Sequence, residues 1–185
     1  MQTETIVFGG GCFWCTEAVF TMLKGVLSVE PGYAGGTVKN PTYEQVSAGN
    51  TGHAEVIKIV YDPDQISFPE LLQVFFGSHD ATMLNRQGND VGPQYRSAVF
   101  YTTTRQKEQS QHYIKNLDLA AELHPALAIG AGKIVTTIEP LGDTYYPAED
   151  YHKNYFEHHK DAPYCQLIIA PKVEKVEKKF KMLLK

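Results

Sequence analysis

The sequence contains no apolar run near 18 residues and no basic segment leading into a shorter apolar one, the patterns of a membrane-spanning helix and of a secretory leader. A soluble, cytoplasmic protein is therefore expected. Basic charge is also in short supply: 17 Lys and Arg stand against 21 Asp and Glu, a net charge of −4, which argues against a protein that tracks nucleic-acid phosphates. Cysteine is scarce, with three spread over 185 residues, an odd number too sparse for the disulfide framework of a small secreted domain. Reactive or buried thiols are the better expectation. What is present is enough apolar material, 43% of the chain, to bury a core, and the length suits one domain over residues 1–185. A monomer is expected, whose partner is a small molecule or another protein, with neither nucleic acid nor membrane involved.

Along the chain, "TETIVFG" (3–9) reads as a strand ending in glycines. "FWCTEAVFTML" (13–23) reads as a helix on which Cys15, Val19, Met22 and Leu23 form one apolar stripe. "AEVIKIVYD" (54–62) is a strand with Glu55, Ile57, Ile59 and Tyr61 on one face, and "SFPE" (67–70) has the capping-box pattern that opens a helix through Leu71, Leu72, Phe75 and Phe76. A strand (97–103), a polar helix (105–123) and a further strand (133–141) follow. The stretch between the first helix and the Glu55 strand, and that from His79 to Tyr95, read as long loops. Alternating strands and helices, taken as a strand, helix, strand, strand, helix, strand core, predict an α+β fold, a two-layer sandwich with a ferredoxin-like split βαβ core and long functional loops. The last fifteen residues hold six lysines and two glutamates, a basic tail or helix over 171–185 with Val173, Val176 and Phe180 as its docking stripe.

The chemistry gathers at "FGGGCFWCTEAVF" (8–20). A strand that turns through Gly9, Gly10 and Gly11 into a helix puts Cys12 at the helix N-terminus, where unpaired N–H groups and the helix dipole favour a thiolate. Cys15, on the apolar stripe, reads as a core thiol or as the second half of a Cys-x-x-Cys redox pair. Phe13 and the sole tryptophan, Trp14, fill the core or form an apolar wall beside the nucleophile suited to a small group such as an S-methyl. His152, His158, His159 and Cys165 are zinc-ligand types in one segment, but adjacent histidines cannot easily both face one ion and no second cysteine lies nearby, so no metal is expected.

"GGGCFWC", "GYAGGTVKNPTYEQV", "TGHAEVIKIVYDP", "QGNDVGPQYRSAVFY" and "YPAEDYHKNYFEHHKDAPYC" occur in this order, and together they resemble the peptide methionine sulfoxide reductase A family over about residues 4–165. The resemblance implies that Cys12 attacks the sulfoxide sulfur and that Glu55 protonates the departing oxygen. The strand phase supports the second role independently, since burial beside Ile57 and Ile59 would raise a carboxyl pKa. It further implies that Tyr43 and Tyr95 hydrogen-bond the sulfoxide oxygen from two loops, that Asp90 lies near the substrate backbone, and that only the S epimer is reduced. Cys12 would become a sulfenic acid, with Cys165 in a mobile tail as resolving thiol and Cys15 as a bystander or second relay station. Thioredoxin is the implied reductant, replaceable by dithiothreitol in vitro, and oxidised proteins, peptides or free methionine sulfoxide are the substrates, with no bound cofactor. The competing reading is a thioredoxin-like disulfide oxidoreductase using Cys12 and Cys15.

Overall fold

The computed structural model describes residues 2–123, 130 and 132–185. In chain order its elements are β1 (Glu4–Gly10), α1 (Phe13–Thr21), β2 (Val26–Ala34), α2 (Tyr43–Ser47), β3 (Ala54–Tyr61), α3 (Phe68–Ser78), β4 (Arg86–Gln87), β5 (Asp90–Val91), β6 (Ser97–Tyr101), α4 (Thr104–Leu123), β7 (Thr137–Pro140), β8 (Tyr146–Pro147), α5 (Tyr155–His158) and α6 (Ala170–Lys179). Six strands form one sheet in the order β7-β6-β1-β3-β2-β8, and β4 and β5 make a separate small hairpin. The inner four, β6-β1-β3-β2, pair antiparallel with one another, with α1 linking β1 to β2 and α3 linking β3 to β6. This is the ferredoxin-like split βαβ arrangement, extended at one edge by β7, parallel to β6 after the α4 crossover, and at the other by β8.

Period-two alternation sorts the strand side chains onto two faces. Ile6, Phe8, Ile57 and Ile59 point to the helices, where they meet Val19 and Phe20 of α1 and Leu71, Leu72 and Phe75 of α3. The rings of Phe8 and Phe75 stack at 4.5 Å. On the other face Val7, Val56, Ala98 and Phe100 are covered by Leu141 and Tyr145. The α3 entry is the expected capping box, with Ser67 Oγ accepting from Glu70 N and Glu70 Oε2 accepting from Ser67 N at 2.8 Å. At the C-terminus α6 docks through Val176 and Phe180, both buried in the core, and leaves its lysines outward.

Two sequence readings are corrected. The segment before Glu55 is not one long loop: it holds the nine residues of β2 and the short α2. Pro31 and Gly32 interrupt the β signal of β2, and its pairing with β3 shifts register between Val26 and Ser28. Tyr43 therefore opens a helix, not a loop, whose N-cap Thr42 forms a capping box with Gln45. The last strand is also shorter than 133–141, running only over Thr137–Pro140.

Candidate active site

The site grows from the turn at the end of β1. Gly11 has φ +89°, and a Cβ there would lie 2.6 Å from Gln87 Cγ, so this turn tolerates glycine both for its backbone and for the hairpin packed on it. Cys12 follows as the N-cap of α1, its carbonyl accepting from Cys15 N and Thr16 N at 3.2 and 3.3 Å. The N–H of Phe13, one of the first-turn donors a helix cannot satisfy internally, donates instead to Glu55 Oε2 at 3.1 Å. Strand register explains how Glu55 comes to be there. Ile57 pairs with Phe8, and continuing that register brings Glu55 level with Gly10, on the helix-facing side.

Cys12, Phe13, Trp14 and Glu55 line a cavity of about 120 Å³, closed by Tyr43, Asp90, Tyr95 and Tyr164. Every candidate from the sequence except Cys15 and Cys165 lies on this wall. Those two pack behind it, where Cys12, Cys15, Cys165 and Ile169 form one buried cluster. All three cysteines are free thiols.

Burial dominates the electrostatics. Glu55, 2% exposed, is pushed up to about 8 chiefly by desolvation, against which the Phe13 N–H bond acts; the charges of Asp90 and Cys15 push it further. Its carboxyl is thus protonated at neutral pH. The helix N-terminus leads one to expect a lowered Cys12 thiol, but burial, then the hydrogen bond and charge of Cys15, hold it well above the ordinary thiol value. Cys15 is pulled down to about 7, mainly by the hydrogen bond from Cys12, with burial opposing and Lys172 assisting. The two sulfurs share one readily lost proton and resist losing the second. Desolvation raises Tyr43, Tyr95 and Tyr164, so all three present neutral O–H donors to the cavity.

Several residues escaped the sequence reading. Tyr164 O–H donates to Asp90 Oδ2 at 3.2 Å, tying the hairpin of β4 and β5 to the segment before Cys165. Trp14 stacks on Tyr155 at 3.7 Å and donates its indole N–H to His152 Nδ1 at 3.1 Å. Glu149 accepts from the Tyr33 hydroxyl at 2.8 Å and from Tyr43 N at 2.9 Å, which seats the α2 terminus over the site. The one signal that could have found Tyr164 is its place beside Cys165; His152 is marked only as a member of the discarded metal cluster, and its contact with Trp14, like the role of Glu149, has no local signal. Cys165 itself is not in a mobile tail. It begins a π-helical turn, Cys165–Ile169, that runs directly into α6, and it is buried there. Tyr95 ends a 3₁₀ turn, Pro93–Tyr95, rather than sitting in open loop. Among the described residues no group of three or more His, Cys, Asp or Glu is arranged to hold a metal ion, and no helix is long and apolar enough to cross a membrane.

The family model for peptide methionine sulfoxide reductase matches residues 4–184. The chain is 53% identical to the peptide methionine sulfoxide reductase MsrA of Picrophilus torridus over 96% of its own length and 95% of the relative's, and 49% identical to that of Thermus thermophilus over 100% and 99%. Among solved structures it is similar to methionine sulfoxide reductase A of Corynebacterium diphtheriae, with TM-score 0.75 and 40% identity over 85% of this chain and 76% of that one. Reduced Mxr1 from Saccharomyces cerevisiae gives TM-score 0.73 and 31% identity over 89% and 90%. With a thiol, an acid and an apolar wall around one small cavity, and with relatives aligned across nearly its whole length, the chain belongs to the peptide methionine sulfoxide reductase family.

Proposed function

We propose that, in the thiol-dependent reduction of methionine sulfoxide by this enzyme, Cys12 is the nucleophile and Glu55 the proton donor. The observation that carries this reading is the buried carboxyl of Glu55, protonated near neutrality and held by the Phe13 N–H in the cavity that Cys12 lines. The sulfoxide S-methyl packs against Phe13 and Trp14, and its oxygen accepts hydrogen bonds from Tyr43 and Tyr95. Asp90, tied to Tyr164, borders the entrance where substrate backbone passes. As the Cys12 sulfur attacks the sulfoxide sulfur, Glu55 delivers its proton to the oxygen, which would otherwise carry full negative charge away from water. The S–O bond to methionine then breaks, the oxygen passes to the Cys12 sulfur as the transient S–S bond is cleaved, methionine leaves with two more electrons, and Cys12, oxidised by two, holds the oxygen as a sulfenic acid. The Cys12 thiol proton re-protonates Glu55.

The sulfur cluster supplies the return path. Cys15, hydrogen-bonded to Cys12 and ionising near neutrality, attacks the sulfenic sulfur; the S–S bond forms, the S–O bond breaks and water leaves. Cys165, whose pKa burial and the Cys15 charge both raise, then exchanges onto Cys15 and frees Cys12. The sequence resemblance made Cys165 the first resolving thiol; the packing favours it as the second. An external dithiol, proposed to be a thioredoxin, removes the final disulfide. The cycle must begin with all three thiols reduced, which suits a monomer working in a reducing cytoplasm. Mapping under non-reducing conditions after one equivalent of sulfoxide should show Cys15 in every early disulfide of wild type, and a Cys12–Cys15 bond trapped in Cys165→Ser. A Cys12–Cys165 bond formed first would remove Cys15 from the relay.

The overall reading is tested by incubating the two separated sulfoxide epimers with dithiothreitol. Turnover of the S epimer alone is expected. Equal turnover of both would refute the stereochemistry, and turnover of disulfides without either sulfoxide would restore the Cys-x-x-Cys oxidoreductase reading.

A further inference from the structure

We infer that His152 is a positioning residue of the site, a neutral imidazole that sets the rotation of the Trp14 wall and so governs how tightly the S-methyl group is read. His152 does not line the cavity, yet its ring lies against three residues that do: 4.5 Å from Tyr43, 4.9 Å from Phe13 and 5.6 Å from Trp14 between centroids. Stacking on Tyr155, at an interplanar angle of 9°, fixes the plane of the indole but not which edge carries the N–H towards His152, because a half-turn about χ2 keeps the same plane. The bond from the indole N–H to His152 Nδ1 removes that choice.

Because Nδ1 accepts, the ring's one hydrogen must sit on Nε2. Nε2 is buried and has no hydrogen-bond partner. Its nearest carboxylate oxygen, Glu149 Oε2, is 3.8 Å away and already accepts from Tyr33, while Oε1 is taken by Tyr43 N. Leaving a buried donor unsatisfied is costly, and a purely space-filling role would be served better by an apolar ring. The feature is explained if the acceptor at Nδ1 is what the site requires. An imidazolium would carry hydrogens on both nitrogens and lose the indole bond. Burial lowers the His152 pKa and so keeps the ring neutral, although Glu149 and Glu44 act in the opposite direction, with Tyr43 and Tyr151 as the remaining titratable neighbours.

The inference rests on the placement of the S-methyl against Trp14, and its test separates the two. Michaelis parameters for the S-sulfoxides of methionine and of ethionine, which differ by one methylene, are compared in wild type, His152→Leu, His152→Asn and Trp14→Phe. Losing one buried hydrogen bond should raise KM for methionine sulfoxide about 5- to 20-fold in His152→Leu, with kcat changed less than about twofold. The methyl-over-ethyl preference, of the size that one methylene confers, should fall by at least about threefold. His152→Asn, which places an amide acceptor near the Nδ1 position, should recover most of both, and Trp14→Phe, which keeps a ring but has no N–H, should reproduce the leucine variant. Fluorescence of the sole tryptophan should shift in His152→Leu and return towards wild type in the asparagine variant. Unchanged KM and preference in folded His152→Leu would overturn the inference. So would an asparagine variant as defective as leucine, or, if the leucine variant does not fold, an unaltered preference in Trp14→Phe. Wild type that fails to prefer the methyl substrate at all would instead refute the placement against Trp14.

Discussion

Cys12→Ser is expected to abolish methionine sulfoxide reduction with every reductant, a loss on the order of 10³-fold or more, as for removal of a covalent nucleophile. An alcohol is far less nucleophilic than a thiol and cannot form the sulfenic acid that carries the oxygen out of the cycle. The substitution is nearly isosteric in a residue that is 7% exposed, so the fold should survive. The measurement is single turnover of the S epimer without added reductant, which reads the reductase step and not recycling. Wild type should release about one methionine per enzyme, or about two if Cys15 and Cys165 return Cys12 to its thiol once, whereas the serine variant should release none. Activity above a few per cent would mean that another thiol of the cluster is the nucleophile, with Cys15 the first to test, because it ionises near neutrality.

Glu55→Gln is expected to slow the same step by roughly 10² to 10⁴-fold, the usual contribution of a general acid. The amide keeps the size and can still accept from Phe13 N, so binding and alkylation of Cys12 should change little. A loss under about threefold would move the proton donor elsewhere. Tyr43 and Tyr95 are poor substitutes, since burial raises both and makes them donors of hydrogen bonds rather than of protons. The pH dependence has a definite sign. With its pKa raised to about 8, Glu55 is a competent acid below that pH and loses its proton above it, so the wild-type reductase step should fall as pH rises through about 8, a limb absent from the glutamine variant. Stability follows the same linkage. Between its ordinary value of 4.5 and about 8 the folded state binds a proton that the unfolded state has released, so this residue makes wild type progressively less stable across that window. Chemical denaturation at pH 6 and pH 9 should therefore show a smaller drop for Glu55→Gln than for wild type.

How much of this was legible beforehand depended on how local the signal is. The run of glycines into Cys12 and the amphipathic stripe after it place a thiol at a helix N-terminus from fewer than twenty consecutive residues. Alternation along 54–62 puts Glu55 on the same face as Ile57 and Ile59, and Ser67 to Glu70 marks the start of α3; each reflects contacts between near neighbours in the chain. From these, the sequence by itself determined an α+β sheet packed against helices, a thiol at a helix N-terminus and a carboxyl on the apolar face of its strand; that Cys12 and Glu55 act as nucleophile and acid came from the family resemblance and is the reading proposed above. It did not reveal β2, because Pro31 and Gly32 break its pattern and only pairing with β3 and β8 makes it a strand. Nor could it show that Cys165 is packed in a π turn against Cys15, that burial reverses the effect of the helix terminus on Cys12, or that His152 holds Trp14. The Phe13–Glu55 and Trp14–His152 bonds span 42 and 138 residues of sequence. A pKa or a side-chain rotation is set by whatever atoms surround it, and those atoms arrive from distant segments only when the sheet has assembled, so these properties belong to the tertiary structure.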